Sequence, residues 1–155
     1  MRTFPVFEAP DPDFTVKVRD SFESQKFMKM LGATLERIEP GHVEIHLARR
    51  AELTQQHGYL HAGVLASIAD SACGYAAFTL MPPGSNVLSV EFKVNLLRPA
   101  ASDLVIAEAR VIRAGRNITV CQAEVLSASG AEMKPVCLFT GTMMRVDAED
   151  PRPTD

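Results

Sequence analysis

Apolar positions change period along this chain, and each change marks an element. From Pro12 to Leu31, Val16, Val18, Phe22, Phe27, Met28 and Leu31 recur at mostly helical intervals, which predicts one amphipathic helix, broken near Ser24 and stopped by Gly32. Ala33 to Ile38 and His42 to Leu47 then alternate as two short strands around Glu39-Pro40-Gly41, where proline fixes φ and glycine supplies freedom, a hairpin signal. After a polar stretch through Gln55-Gln56-His57-Gly58, the residues from about His61 to Leu80 are apolar almost all round, which predicts a long helix closed by Met81-Pro82-Pro83-Gly84. Alternation then returns. Val90, Phe92, Val94 and Leu96 alternate with Glu91, Lys93 and Asn95; Leu104 to Ile112 follows; Gly115-Arg116-Asn117 turns the chain into Ile118 to Leu126, and Ser129-Gly130 turns it into Met133 to Val146.

A helix apolar on every face must be enclosed, and the flanking strands are the only generous wrapper. The expectation is an α+β architecture, with a curved antiparallel sheet wrapped around a long central helix and a further helix at the N-terminus. The length of 155 residues fits one domain, 1–155, able to bury roughly 68–70% of its unfolded surface without disulfide or metal. Its ordered part is expected over about 12–147, with loose tails at 1–11 and 148–155. The helix from Ala62 to Leu80 could be mistaken for a membrane span, but Asp70 near its middle and its small residues weaken that reading.

A net charge of −3 argues against a nucleic-acid partner, which would need a basic face. Cys73, Cys121 and Cys137 are odd in number and lack C-x-x-C spacing, so buried thiols in a reducing compartment are expected. The N-terminus lacks the long apolar core of a signal peptide, and a cytoplasmic location follows as the expectation.

From Gly58 through Val90 the only formally charged side chain is Asp70. A carboxylate inside an enclosed helix is expensive, so it is either a structural group bonded to backbone amides, Ser67 or Ser71, or a general base or nucleophile. The same helix begins beside His61-Ala62-Gly63, where first-turn amides have no helical partners, and the Ala62 and Gly63 N–H groups form a candidate oxyanion site. Asp70 lies eight residues on, about 12 Å up the axis, too far to act on a carbonyl held at its own helix start. A two-fold dimer with antiparallel long helices would bring Asp70 of one chain to the Ala62 amide of the other.

No metal is expected. His57 and His61 are four apart but lack a third ligand of suitable spacing, and His42 and His46, on a strand with Glu44, are expected at the surface. G-x-S-x-G, G-x-G-x-x-G and P-loop motifs are absent from the sequence. Between Glu91 and Arg116, Lys93, Arg98, Arg110, Arg113 and Arg116 outnumber three acids; these bases form either a solvated strand face or a phosphate-holding group.

The run Gln55-Gln-His-Gly-Tyr-Leu-His61-Ala-Gly63, then Asp70, then Ser89-Val-Glu-Phe-Lys-Val-Asn95-Leu-Leu-Arg98-Pro99-Ala100 resembles the PaaI-type hotdog-fold acyl-CoA thioesterases over roughly Gly32 to Val146. The resemblance implies a homodimer assembling to a homotetramer that hydrolyses the thioester of an acyl- or aryl-acyl-CoA. Coenzyme A enters as part of the substrate, with no other cofactor. It implies Asp70 as base or nucleophile, Ala62 N–H as the donor to the carbonyl, and Gln55 orienting the thioester or water. His61 would shape the helix entry, Ser89 would place water near the carboxylate, and Gly74 falls where some members carry threonine. Asn95 and Arg98 belong to the family's N-x-x-R-P element, and with Arg113 and Arg116 are the candidate contacts to coenzyme A. Two departures stand out: Ala62 replaces the first glycine of H-G-G, and Asp70 is shorter than glutamate. A non-catalytic acyl-CoA-binding module and a hotdog dehydratase or hydratase are the alternatives.

Overall fold

The computed structural model describes residues 4–130 and 132–148. The N-terminal periodic run forms two helices, α1 (Phe14–Ser24) and α2 (Lys26–Leu31), separated by Gln25 in an extended conformation. Gly32 ends α2 at φ 75°, its amide bonding back to the Lys29 and Met28 carbonyls; a side chain there would crowd its own carbonyl. The expected hairpin follows as β1 (Ala33–Glu39) and β2 (His42–Ala48), then a short 3-10 turn (Ala51–Leu53) and the long helix α3 (Ala62–Phe78). Four strands complete the chain: β3 (Ser85–Leu96), β4 (Leu104–Ala114), β5 (Ile118–Ser129) and β6 (Glu132–Asp147).

These strands form one curved antiparallel sheet in the order β1-β2-β4-β5-β6-β3. β3 begins five residues before the alternation from Val90 becomes visible, because a register shift between Ser89 and Glu91 puts its two halves out of phase. α3 touches all six strands. Its buried Ala69, Ala72, Ala76 and Ala77 let the sheet close tightly, while Ile68 fills the space that remains. Ile68→Ala would leave a cavity in this layer, a class of change that costs about 2–5 kcal/mol. The helix apolar all round is therefore the core of the molecule, as its composition requires, and no helix among the described residues is long and apolar enough to cross a membrane.

Thr79, fully buried past the end of α3, donates to the Ala76 carbonyl and accepts from the Gly41 amide, pinning the β1–β2 turn to the helix. The segment 4–11, expected as a tail, has no helix or strand but is docked. Phe7 packs against the core, and Asp11 is buried with its carboxylate 2.9 Å from Lys17 Nζ. Of the other expected tail, 148–155, only Ala148 is described, its amide bonded to the Gly84 carbonyl; residues 1–3 and 149–155 lie outside the described residues.

Candidate active site

Asp70 sits half-buried on α3, and the pairing of β3 with β6 sets Ser89 across from it. Ser89 Oγ donates to Asp70 Oδ1 at 2.7 Å and lies 3.4 Å from Met143 Sδ. Burial pushes the Asp70 carboxyl above its ordinary range, and the Ser89 hydrogen bond pulls it partly back. The two serines that could have made Asp70 a structural group are occupied elsewhere. Ser67 Oγ donates to the Gly63 carbonyl, and Ser71 Oγ to Gln25 Oε1. Asp70 and Ser89 open on a recess of about 150 Å³ walled by Ser21, Gln25, Gly74 and Tyr75. The contribution of Ser21 and Gln25 had no signal in the linear pattern, since α1 and the Gln25 break meet Tyr75 only in the folded chain.

At the start of α3, His61 is the N-cap, and its Nδ1 accepts from the Gly63 amide at 2.9 Å. Gly63 N–H is thus committed to the cap, which corrects the expectation of two free donors. The Ala62 amide, at the first helical position, is the one left without a helical partner. The His61 amide is tied to the Leu53 carbonyl and the Leu60 amide to the Ala100 carbonyl, so the helix entry is held from both sides. Gln55 closes the preceding turn: its Oε1 accepts from the His57 amide and its own amide donates to Tyr59 at 2.8 Å. Gln55, Ala62, Leu65 and Arg98 line a common cavity of about 370 Å³.

One chain therefore holds the candidate residues in two separate recesses, Asp70 with Ser89 in one and Ala62 with Gln55 and Arg98 in the other. The candidate coenzyme A contacts are likewise divided. Arg98 is held by the Pro135 carbonyl at 2.7 Å, and Asn95 is exposed on β3 opposite Leu138. Arg113 aligns through Val120 with Thr142, seven residues along β6 from Pro135, a separation of about 23 Å, with Arg116 in the adjoining turn. Arg113 and Arg116 thus lie at the Asp70 end of the sheet and Arg98 at the Ala62 end.

The three cysteines are buried thiols. Burial pushes Cys137 up to about 11 and Cys73 well above its ordinary value, conditions opposite to those of a reactive thiolate. His42 is buried among carboxylates rather than at the surface, because β4 lies over that side of β2 and brings Glu108 to it.

The profile of the Thioesterase superfamily matches residues 57–134. This chain belongs to that superfamily. The match runs from His57 through α3, β3, β4 and β5 to the first residues of β6, and it includes Ala62, Asp70, Ser89 and Arg98 but not Gln55. A thioesterase family protein from Silicibacter pomeroyi superposes with a TM-score of 0.85 at 43% identity, covering 86% of this chain and 98% of that one. The acyl-coenzyme A thioesterase PaaI of Escherichia coli K12 is 27% identical over 81% of this chain and 86% of its own. The solved structure of the E. coli PaaI protein aligns with a TM-score of 0.78 at 25% identity, covering 86% of this chain and 94% of that one. The proofreading thioesterase EntH of Klebsiella pneumoniae is 26% identical over 68% of this chain and 77% of its own. As a member of the superfamily with the hotdog fold, the chain is a thioester hydrolase.

Proposed function

We propose that this thioesterase hydrolyses acyl-CoA, with Asp70 of one subunit acting on a carbonyl polarised by the partner subunit's Ala62 amide. The observation that carries the reading is the desolvated Asp70 carboxylate, anchored on one oxygen by Ser89 and held eight residues along α3 from the open Ala62 amide of its own chain. Direct attack and deprotonation of water both use the ionised carboxylate, and the amide lowers the cost of the charge that develops on the carbonyl oxygen. Gln55 orients the thioester or water, and His61 keeps Gly63 N–H occupied so that Ala62 N–H is the donor offered.

The dimer has its own support. β3 lies at the sheet edge with Leu88, Val90, Phe92 and Leu96 each about half exposed, an apolar edge that a second copy would cover. Continuing the sheet across β3 about a two-fold axis sets the two α3 helices antiparallel and gathers Arg98 with the other chain's Arg113 and Arg116 end. Asn95 and these arginines hold the phosphates of coenzyme A, and no other cofactor takes part. Two such dimers make a tetramer, and buried thiols suit the reducing cytoplasm. Release of free thiol from short, medium, long and aromatic acyl-CoAs tests the reading. Turnover is expected with at least one class, and Asp70→Asn is expected to lower it by ~10²–10⁴ with the oligomer intact. Undiminished turnover in that variant, or an enoyl thioester formed without thiol release, overturns it.

A further inference from the structure

On the face of the sheet turned away from α3, β2 carries His42, Glu44 and His46, alternating with the buried core residues Val43, Ile45 and Leu47. The register with β4 sets Glu44 directly opposite Glu108, a pairing of like charges that costs stability unless a cation offsets it. Two arginines do so in part: Arg37 Nε lies 3.1 Å from Glu44 Oε1, and Arg110 Nη2 lies 2.7 Å from Glu108 Oε1. His42, only 4% exposed, points between the two carboxylates, its Nε2 3.1 Å from Glu108 Oε1 and 3.7 Å from Glu44 Oε1. His46 Nε2 approaches Glu44 Oε2 at 3.9 Å. Both Nε2 atoms are buried and make no hydrogen bond.

The other ring nitrogen of His42 explains why. Nδ1 lies 3.2 Å from Glu39 Oε2, a partner that can only accept, so the tautomer with its hydrogen on Nδ1 satisfies that contact. In the neutral ring Nε2 is then a lone pair, and it faces two carboxylates that also offer only lone pairs. That arrangement lacks a cation at its centre. We propose that His42 Nε2, Glu44 and Glu108 bind a divalent transition-metal ion of the zinc class. Among the described residues this is the group whose ligand atoms all fall within 4.8 Å of one another. The 3.1 and 3.7 Å separations bracket the about 3.3–3.6 Å edge of a tetrahedron built on ~2.0–2.2 Å metal–ligand bonds. Imidazole with carboxylate suits zinc or cobalt(II) better than calcium or magnesium. Glu39 is the outer carboxylate that fixes the ring of a metal-bound histidine. The ion would brace β2 and β4, on the face of the sheet turned away from α3 and respectively four and three strand positions from the β3 edge where Ser89 meets Asp70.

Chelator-stripped protein titrated with Co²⁺ tests this. One equivalent per chain is expected, with visible ligand-field absorption, a raised melting temperature and displacement by Zn²⁺. Glu108→Gln and His42→Ala should each weaken binding by more than the ~10–100-fold that loss of an outer-sphere partner produces, whereas His57→Ala should leave it unchanged. Circular dichroism reports whether His42→Ala is folded, and Glu108→Gln carries the test if it is not. Failure of the native chain to take up Co²⁺ would mean that a proton on His42 Nε2 fills the place, and would overturn the proposal. So would uptake that survives unchanged in the folded variants.

Discussion

Asp70 and Ser89 make one functional unit out of two residues nineteen apart, and their chemistry predicts two opposite effects. The proposed reaction uses the carboxylate, so activity should fall as pH drops through its pKa, which burial has raised and Ser89 has partly lowered. Ser89→Ala removes the lowering contribution. The acid limb of the kcat/KM profile should therefore move to higher pH, and an unmoved limb would show that Ser89 does not stabilise the charge. Stability runs the other way. Because the folded-state pKa lies above the ordinary 3.8, the native chain holds a proton that the unfolded chain has lost, and folding is penalised as pH rises through that window. Asp70→Asn should thus melt higher than the native chain at pH 7, with the gain shrinking as pH falls from the raised folded-state value toward 3.8 and gone below it. A lower melting temperature at pH 7 would contradict the desolvation. Asp70 was legible in the sequence because it is a lone charge in a long apolar run. That the Gly63 amide is consumed by the cap was not, since either ring nitrogen of His61, or neither, could turn inward. The Glu108 partner of His42 is 66 residues away, joined only by strand register that no local period encodes.

Among the elements, those defined by local period were readable and those defined by contacts between distant segments were not. The helix α3, the hairpin and the break after Ser24 each follow from spacing or turn chemistry; the early start of β3 is hidden by its bulge, and the docking of residues 4–11 depends on a surface supplied elsewhere. Gly41 is where that docking meets the hairpin. It sits at φ 73°, and a Cβ there would lie 2.7 Å from Phe7 Cδ2. Its amide and carbonyl are also engaged, by Thr79 Oγ1 and the Val111 amide. Gly41→Ala should cost at least ~1–2 kcal/mol from backbone conformation alone, plus the steric overlap with Phe7. In a Phe7→Ala background the overlap is gone but the backbone penalty stays, so the same glycine substitution should cost less. A denaturant double-mutant cycle at fixed chain concentration measures the difference, and a coupling near zero would mean that residues 4–11 are not held against the turn.

For the whole molecule, the proposed division of the site between chains is a matter of length, since eight residues of helix separate Asp70 from Ala62 and no rotation of either side chain spans that gap. A shared site makes a prediction that a site within one chain cannot. Ala62 is the first helical residue, a position where proline is accepted because its missing N–H would have no helical partner. His61, at φ −64° and ψ 141°, already has the extended conformation that a following proline requires. Ala62→Pro should therefore remove the oxyanion donor while leaving the helix and its cap in place, with a loss of ~10²–10³ in kcat. Homodimers of Ala62→Pro have two sites without the amide, and homodimers of Asp70→Asn have two without the carboxylate. A mixed dimer has one site lacking both groups and one lacking neither. After co-refolding equal amounts of the two inactive chains, half of the dimers are mixed and each has one intact site of two, so about a quarter of native activity should return. If the groups acted within one chain, every site in the mixture would lack one of them and no activity would be regained. The recovered fraction, read from thiol release and the dimer distribution together, thus decides whether the two halves of the site belong to different subunits.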